Sequence, residues 1–314
     1  MPTITQLEYI IAVDTYRHFG IAAKKCFVTQ PTLSMQIKKA EEELGIIIFD
    51  RSKQPVIPTD LGEILIVQAR IILREMQRLD ELIIDFKNEV TGTLRLGIIP
   101  TLAPYLLPLF VGNLIRKYPK INLVVKELPT EEIISALHSD LLDIGLLVTP
   151  MHEPSIREIP LFYEEIKLYL NATHQLLEEY PKSVPVNALQ DNEPWLLSHG
   201  HCFRNQIINI CSISDSAKTE TVLPFEYEGS SLEALQRLVD REGGFTLFPE
   251  LAISKNIEGH IKSLEKPVPL REVSLVYVQN FAKIRFLEIL KTEILSSIPS
   301  HLQEMNRGQV VEWR

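Results

Sequence analysis

The hydrophobic period of this chain changes once, at Thr91-Gly92-Thr93, and that change limits the fold more than any other feature. Upstream, apolar residues recur three and four positions apart, the spacing of one helix face. Downstream, short β-rich runs at 94–99, 123–125, 144–147, 166–170, 195–198, 245–248 and 274–278 alternate with helical patterns at 105–118, 131–139, 231–241 and 283–297. A helical section followed by alternating strands and helices predicts an α/β chain in separate parts, with parallel sheets covered by helices on both faces. At 314 residues the chain is long enough for two or three cores.

Within the helical section, Leu7, Ile10, Ile11 and Asp14 through Phe19 mark a first amphipathic helix, residues 21–26 a short second one and residues 31–44 a third. Thr29 suits the N-cap of the third helix, Pro31 its first turn and Gly45 its end. Ile46 to Phe49 read as a strand, Asp50 to Pro55 as a turn and Val56-Ile57 as the return. Thr59 caps a further helix running from residue 60 to about 86, with apolar positions Ile64, Val67, Ile71, Leu79 and Ile83 and, past Gly62, neither proline nor glycine. A helix of about seven turns leaves a face uncovered, which predicts pairing with a second copy as a coiled coil.

The formal net charge of -9 argues by itself against a polyphosphate partner. Its distribution argues the other way. Between Arg17 and Pro58 the cations Arg17, Lys24, Lys25, Lys38, Lys39, Arg51 and Lys53 face only Glu41, Glu42, Glu43 and Asp50, so this stretch is net positive by three. No apolar run reaches the roughly 18 residues needed to cross a membrane, and the first residues lack the layout of a secretory signal, so a cytoplasmic location without a membrane partner is expected.

Only three cysteines occur, and two of them, Cys202 and Cys211, stand nine positions apart. Phe203, Ile207, Ile210 and Cys211 form the stripe of a half-buried helix. On one continuous helix the two sulfurs lie on opposite faces, roughly 13 Å apart along the axis, whereas a disulfide tolerates at most about 7 Å between Cα atoms. The pair can bond only if the segment unwinds. Bonding would then be a redox-coupled conformational switch and not a staple. His199, His201, Cys202 and Cys211 also have the ligand chemistry of a zinc or copper site. Cys26 is expected to be an ordinary buried thiol.

The ordered run Gln6-Leu7-Glu8-Tyr9, Ala22-Ala23-Lys24, Thr29-Gln30-Pro31-Thr32-Leu33-Ser34-Met35-Gln36-Ile37, Glu42-Glu43-Leu44-Gly45, Ile48-Phe49-Asp50-Arg51 and Pro58-Thr59-Asp60-Leu61-Gly62 resembles the winged helix-turn-helix of LysR-type transcriptional regulators. The resemblance implies a DNA-binding domain over residues 1–59, a linker and dimerisation helix over 60–90, and a periplasmic-binding-protein-like regulatory domain over 91–306. That regulatory domain would comprise two α/β lobes, lobe I at 91–163 plus 269–300 and lobe II at 164–268, with residues 307–314 as a flexible tail. It further implies double-stranded promoter DNA and RNA polymerase as partners, and a homodimer assembling to a homotetramer. Thr29, Gln30, Pro31, Thr32, Ser34, Met35 and Lys38 open the helix that would enter the major groove, and Arg51 sits where a wing would meet phosphates.

A second set of residues, Pro100-Thr101 with Pro104-Tyr105-Leu106-Leu107-Pro108, Gly200-His201-Cys202-Phe203-Arg204, Cys211, Ser231-Leu232-Glu233 and Arg271 with Leu275-Val276-Tyr277, is similar to the hydrogen-peroxide-sensing branch of that family. The likeness implies that Cys202 is oxidised by hydrogen peroxide and then forms a disulfide with the resolving Cys211, changing the grip on DNA. It implies no cofactor and no metal, and it carries peroxide binding and activation to Thr101, Thr130, His201 and Arg271. A helix start beside cations would lower the Cys202 pKa. Two positions depart from the pattern: Asn205 stands where an aspartate is common, and Val278 where an arginine is.

Two other function classes compete. A LysR-type regulator could bind a small organic effector between the lobes and use its thiols only structurally. A thiol peroxidase would turn over many equivalents of peroxide. The sequence holds no glycine-rich phosphate loop, no metalloprotease motif and no evident Ser/His/Asp array, so an enzyme is not expected.

Overall fold

The computed structural model describes residues 1–86, 90–189, 194–212, 229–254, 260–279, 281 and 283–313. They divide into two compact units, Met1–Glu89 with Asn280–Lys283, and Val90–Gln279 with Ile284–Arg314.

The first unit holds α1 (Ile4–Tyr16), α2 (Phe19–Lys25), α3 (Gln30–Leu44), the antiparallel pair β1 (Phe49–Asp50) and β2 (Ile57–Pro58), and α4 (Asp60–Phe86). Each short helix starts on a side chain that satisfies its free N–H groups. Thr3 and Gln6 form a capping box, Nδ1 of His18 accepts from Gly20 and Ile21, and Thr29 accepts from Thr32. The His18 cap is why α2 begins at Phe19, two residues before the apolar pattern suggests. Gly45 ends α3 in the left-handed region at φ 69°, where a Cβ would be strained.

Leu7, Ile10 and Val13 meet Ala22, Leu33, Ile37, Ile48, Phe49, Ile66 and Ala69 in one core. The buried Glu41 carboxylate locks the wing to this core. Its Oε1 accepts from the N–H of Ile48 at 2.8 Å and its Oε2 from Arg51 at 2.8 Å. Because Ile48 donates to a side chain, the strands are shorter than the apolar run 46–49 predicts. On α4, Ile66 and Ala69 face the core while Leu61, Ile64, Val67, Met76 and Leu79 are exposed. The side chain of Ile83 and residues 87–89 of the expected linker lie outside the described residues.

The second unit runs β3 (Gly92–Ile98), α5 (Ala103–Lys117), β4 (Ile121–Glu127), α6 (Thr130–His138), β5 (Ile144–Thr149), β6 (Ile156–Leu170), α7 (Leu176–Glu179), β7 (Ser183–Val184), α8 (Cys202–Cys211), α9 (Leu232–Glu242), β8 (Phe245–Pro249), β9 (Ile261–Leu264), β10 (Pro269–Val278), α10 (Ile284–Ser297) and β11 (Gln309–Val310). The strand order is β4-β3-β5-β10-β6-β9-β7, with β8 also on β6 and β11 on β10.

The expectation of parallel sheets holds only in part. β3 is parallel to β4 and β5, but β10 is antiparallel to both β5 and β6, and β6 is antiparallel to β8. The reason is the length of β6: its first part pairs with β10 and its last five residues with β8, so one strand carries the chain from one half of the unit into the other. Pro160 and the Glu164-Glu165 pair interrupt its apolar pattern, which hid its first ten residues from a periodicity reading. Residues 195–198 form no strand; Pro194 makes only an isolated bridge to Phe245.

The supposedly flexible tail is also corrected. β11 pairs in parallel with Pro269 and Leu270 of β10, and Trp313 is 5% exposed with its Nε1 donating to the Val148 carbonyl at 3.2 Å. An indole buried with its N–H satisfied holds this segment in place. Polarity and terminal position were misleading here, because backbone pairing does not depend on side-chain character.

Removing Glu41 leaves the Ile48 N–H without its acceptor and the Arg51 guanidinium without its carboxylate partner. Glu41→Ala is expected to destabilise the first unit by about 1–3 kcal/mol, with Glu41→Gln milder. Urea denaturation of the full chain, followed by hydrogen exchange resolved by segment, checks this. The effect should be confined to residues 1–86.

Candidate redox site and nucleic-acid interface

Gly200, at φ 88°, reverses the chain so that His201 enters extended and Cys202 becomes the first residue of α8. Phe203, Ile207, Ile210 and Cys211 then fall on the face turned into the core of the second half, against residues such as Trp195, Leu197, Leu235 and Phe245. The helix is unbroken through Cys211 and ends at Ser212, in the left-handed region at φ 54°. Both cysteines are free, at 3% exposure for Cys202 and 0% for Cys211. Nine residues of α-helix separate them by roughly 13 Å and half a revolution. The two thiols therefore occupy different environments, and a four-ligand site made of them with His199 and His201 is not assembled in this conformation.

Cys202 faces polar groups brought from three other elements. Thr130 opens α6, Thr101 precedes α5, and Arg271 lies on β10 directly opposite Glu164 of β6 in the ladder register. Arg271 and Glu164 are both fully buried and joined at 2.6 Å from Nε to Oε1. The remaining guanidinium nitrogens donate to Thr101, one to Oγ1 and one to the carbonyl, each at 3.1 Å. The other Glu164 oxygen accepts from the Leu251 N–H at 3.0 Å, and the guanidinium lies 5.4 Å from the Phe203 ring centre. Every polar edge of this ion pair is used, as a charge pair removed from water requires.

The expected low pKa of Cys202 is overturned for this resting form. Burial pushes the thiol up, and the Thr130 hydroxyl, the Arg271 guanidinium and the N–H groups of Phe203 and Cys202 pull it back only in part. The flanking cations do not act as the sequence suggested. Arg204 donates to the Leu197 carbonyl at 3.0 Å, and burial lowers the pKa of His201, leaving it neutral at pH 7. Burial raises Cys211 to about 12. Thr130 Oγ1 is buried with no partner of full hydrogen-bond geometry among the described residues.

The structure thus brings Cys202, Thr101, Thr130 and Arg271 together, with His201 adjoining in sequence and Cys211 apart. Glu164 was missed; an acid inside a long apolar strand was the available signal. A second missed contact is Tyr105 Oη donating to Glu233 at 2.8 Å, which ties α5 to α9.

In the first unit, Gln30, Pro31, Met35 and Lys38 at the start of α3 are exposed. Thr29 and Thr32 are occupied with each other and with the cap. Arg51 is not a free wing cation: it pairs with Glu41, donates to Ser34 Oγ at 3.3 Å and lies over the Phe19 ring. Cys26, expected to be buried, is only partly so.

A winged helix-turn-helix unit followed in the chain by a two-part α/β unit with an enclosed thiol defines a bacterial-type transcriptional regulator with its own sensor domain. The chain belongs to the LysR family: the profile described as LysR substrate binding domain matches residues 87–292, and that of the bacterial regulatory helix-turn-helix protein, lysR family, matches residues 4–63. It is 36% identical over 279 residues to the "Hydrogen peroxide-inducible genes activator" of Haemophilus influenzae, covering 87% of this chain and 90% of that protein. Among solved structures, full-length OxyR of Pseudomonas aeruginosa with a cysteine replaced by aspartate matches with a TM-score of 0.78 at 32% identity, over 95% of this chain and 99% of the other. A cysteine-to-serine variant of Corynebacterium glutamicum OxyR with bound hydrogen peroxide matches with a TM-score of 0.60 at 26% identity, over 95% and 92% of the two chains.

Because the Cys202 pKa lies above its ordinary value, the thiolate fraction at neutral pH is small and grows with rising pH. The second-order rate of Cys202 oxidation should therefore climb without a plateau between pH 7 and 9. Thr130→Val, which removes one of the groups favouring thiolate, should lower the rate about threefold to tenfold at pH 7.5. Stopped-flow oxidation of the Cys211→Ser protein measures both; a plateau below pH 8 would contradict the assignment.

Proposed function

We propose that this protein is a peroxide-responsive transcriptional regulator in which Cys202 is the peroxidatic thiol and Cys211 the resolving thiol, switching expression of antioxidant genes. The observation that carries this reading is the buried Cys202 set beside the buried Thr130 hydroxyl and the anchored Arg271. Peroxide is small, neutral and rich in hydrogen-bonding capacity, and its oxygens suit Thr130, Thr101 and the neutral His201. Bulky oxidants do not suit so enclosed a thiol.

The Cys202 proton passes to His201 as the sulfur attacks one peroxide oxygen. The O–O bond breaks, and the departing oxygen takes up the proton to leave as water, with Arg271 stabilising the developing negative charge. Cys202 is then a sulfenic acid. Once α8 unwinds, the Cys211 sulfur attacks the Cys202 sulfur, the S–O bond breaks and a second water leaves. One peroxide is reduced to two waters and two thiols are oxidised to one disulfide. No cofactor or metal enters.

On the DNA side, Gln30, Pro31, Met35 and Lys38, with Thr29, Thr32 and Ser34 beside them, are the residues proposed to meet the major groove of promoter DNA, and Arg51 reaches phosphate only by sharing its contact with Glu41. The uncovered apolar positions of α4 support a homodimer, and two dimers would form the tetramer that contacts RNA polymerase. A chain of net charge -9 binds through this local patch, so affinity depends on several copies and falls steeply with salt.

One equivalent of hydrogen peroxide added to the reduced protein should remove two free thiols and no more. Cys202→Ser should lose none and keep its DNA affinity, while Cys211→Ser should hold a sulfenic acid that a dimedone-type reagent traps. Consumption of many equivalents of peroxide would show an enzyme. Retention of all thiols would overturn the sensor reading.

A further inference from the structure

The face of α8 opposite Cys211, which also holds Cys202, carries Asn205, Gln206 and Asn209. All three amides point to one place. Asn205 Nδ2 donates to the Trp313 carbonyl at 3.1 Å, Gln206 Nε2 to the Val311 carbonyl at 3.0 Å, and Asn209 Nδ2 to the Glu312 carbonyl at 2.8 Å. Three consecutive backbone acceptors are thus held by three donors from one helix.

The same segment is fastened on its other side to the sheet. The N–H groups of Gln309 and Val311 donate to the carbonyls of Val268 and Leu270, both at 2.8 Å, and Trp313 is anchored on Val148 of β5. Gly308 makes the close approach possible, since a Cβ there would lie 2.1 Å from the Val268 carbonyl oxygen. Segment 309–313 is therefore a strap between the redox helix and β10, the strand that carries Arg271.

We infer that this strap is a clasp of the thiol form, released when the Cys202–Cys211 bridge forms, through the amides of Asn205, Gln206 and Asn209. The inference rests on the disulfide proposed above. All three donors lie inside the ten residues that the bridge must reshape, so their spacing along one helix face cannot survive it. Breaking the i to i−4 ladder moves three amides away from three carbonyls at once, and the buried Trp313 loses its cover. The departure at Asn205 is part of the device. An aspartate there has no hydrogen to give to the Trp313 carbonyl and would repel it. This chain has a donor where the related pattern has an acceptor.

A group that holds only the thiol form shifts the thiol–disulfide equilibrium by the whole of its contribution. The test uses the full chain with Trp195→Phe, which leaves Trp313 as the single indole. After one equivalent of peroxide, Trp313 emission should move to longer wavelength and its acrylamide quenching constant should rise at least twofold, both reversed by dithiothreitol. Asn205→Asp should raise quenching already in the thiol form. It should also shift the equilibrium against a dithiol buffer about threefold to tenfold toward the disulfide.

A purely structural role for Asn205 would weaken both redox forms alike and leave that equilibrium where it is. Loss of two thiols with unchanged Trp313 emission and quenching overturns the clasp alone. Failure to lose two thiols overturns the sensor reading, and the clasp with it.

Discussion

The ten-residue helix from Cys202 to Cys211 is the constraint on which the rest of the structure depends. A helix places positions nine apart on opposite sides, and each side here is buried, so the two sulfurs are sealed into different surroundings. Cys211 belongs to an apolar core and Cys202 to a polar cluster. Neither thiol can reach the other without giving up helical hydrogen bonds and core contacts. The disulfide is consequently a change of conformation by necessity, and its cost is what keeps the thiol form the resting one.

Around that helix the sheet acts as a fixed frame. β6 runs through both halves of the unit, and its register with β10 sets Arg271 against Glu164. The pair is dry, so its geometry is held tightly by hydrogen bonds on every side. One consequence is that Arg271 arrives already neutralised in part, which fits a Cys202 thiol that stays protonated at rest. The reactivity of this site comes less from a standing thiolate than from groups placed to receive charge as the sulfur attacks.

Much of this was legible in the residues. The caps and turn residues Thr29, Pro31, Gly45 and Thr59 mark the helix-turn-helix and the start of α4, and the spacing of the cysteines already requires unwinding. Three things were hidden. Glu41 and Glu164 act through tertiary contacts that local pattern does not encode. The first part of β6 carries charges and a proline that obscure its period. The strap at 309–313 is held by backbone carbonyls, which have no sequence signature at all. The thiol pKa was misjudged for a related reason: adjacency in sequence placed His201 and Arg204 beside Cys202, whereas burial is the dominant influence and Arg204 is turned to the Leu197 carbonyl.

Amide hydrogen exchange across residues 202–211, compared between the dithiothreitol-reduced and the peroxide-bridged protein, bears most directly on the central claim. Slow exchange in the thiol form and a loss of protection by a factor of 100 or more in the bridged form is the result expected, on the order of 3 kcal/mol of local opening free energy. Equal protection in both forms, with two thiols demonstrably lost, would mean that the sulfurs meet without unwinding the helix, and the account would be wrong.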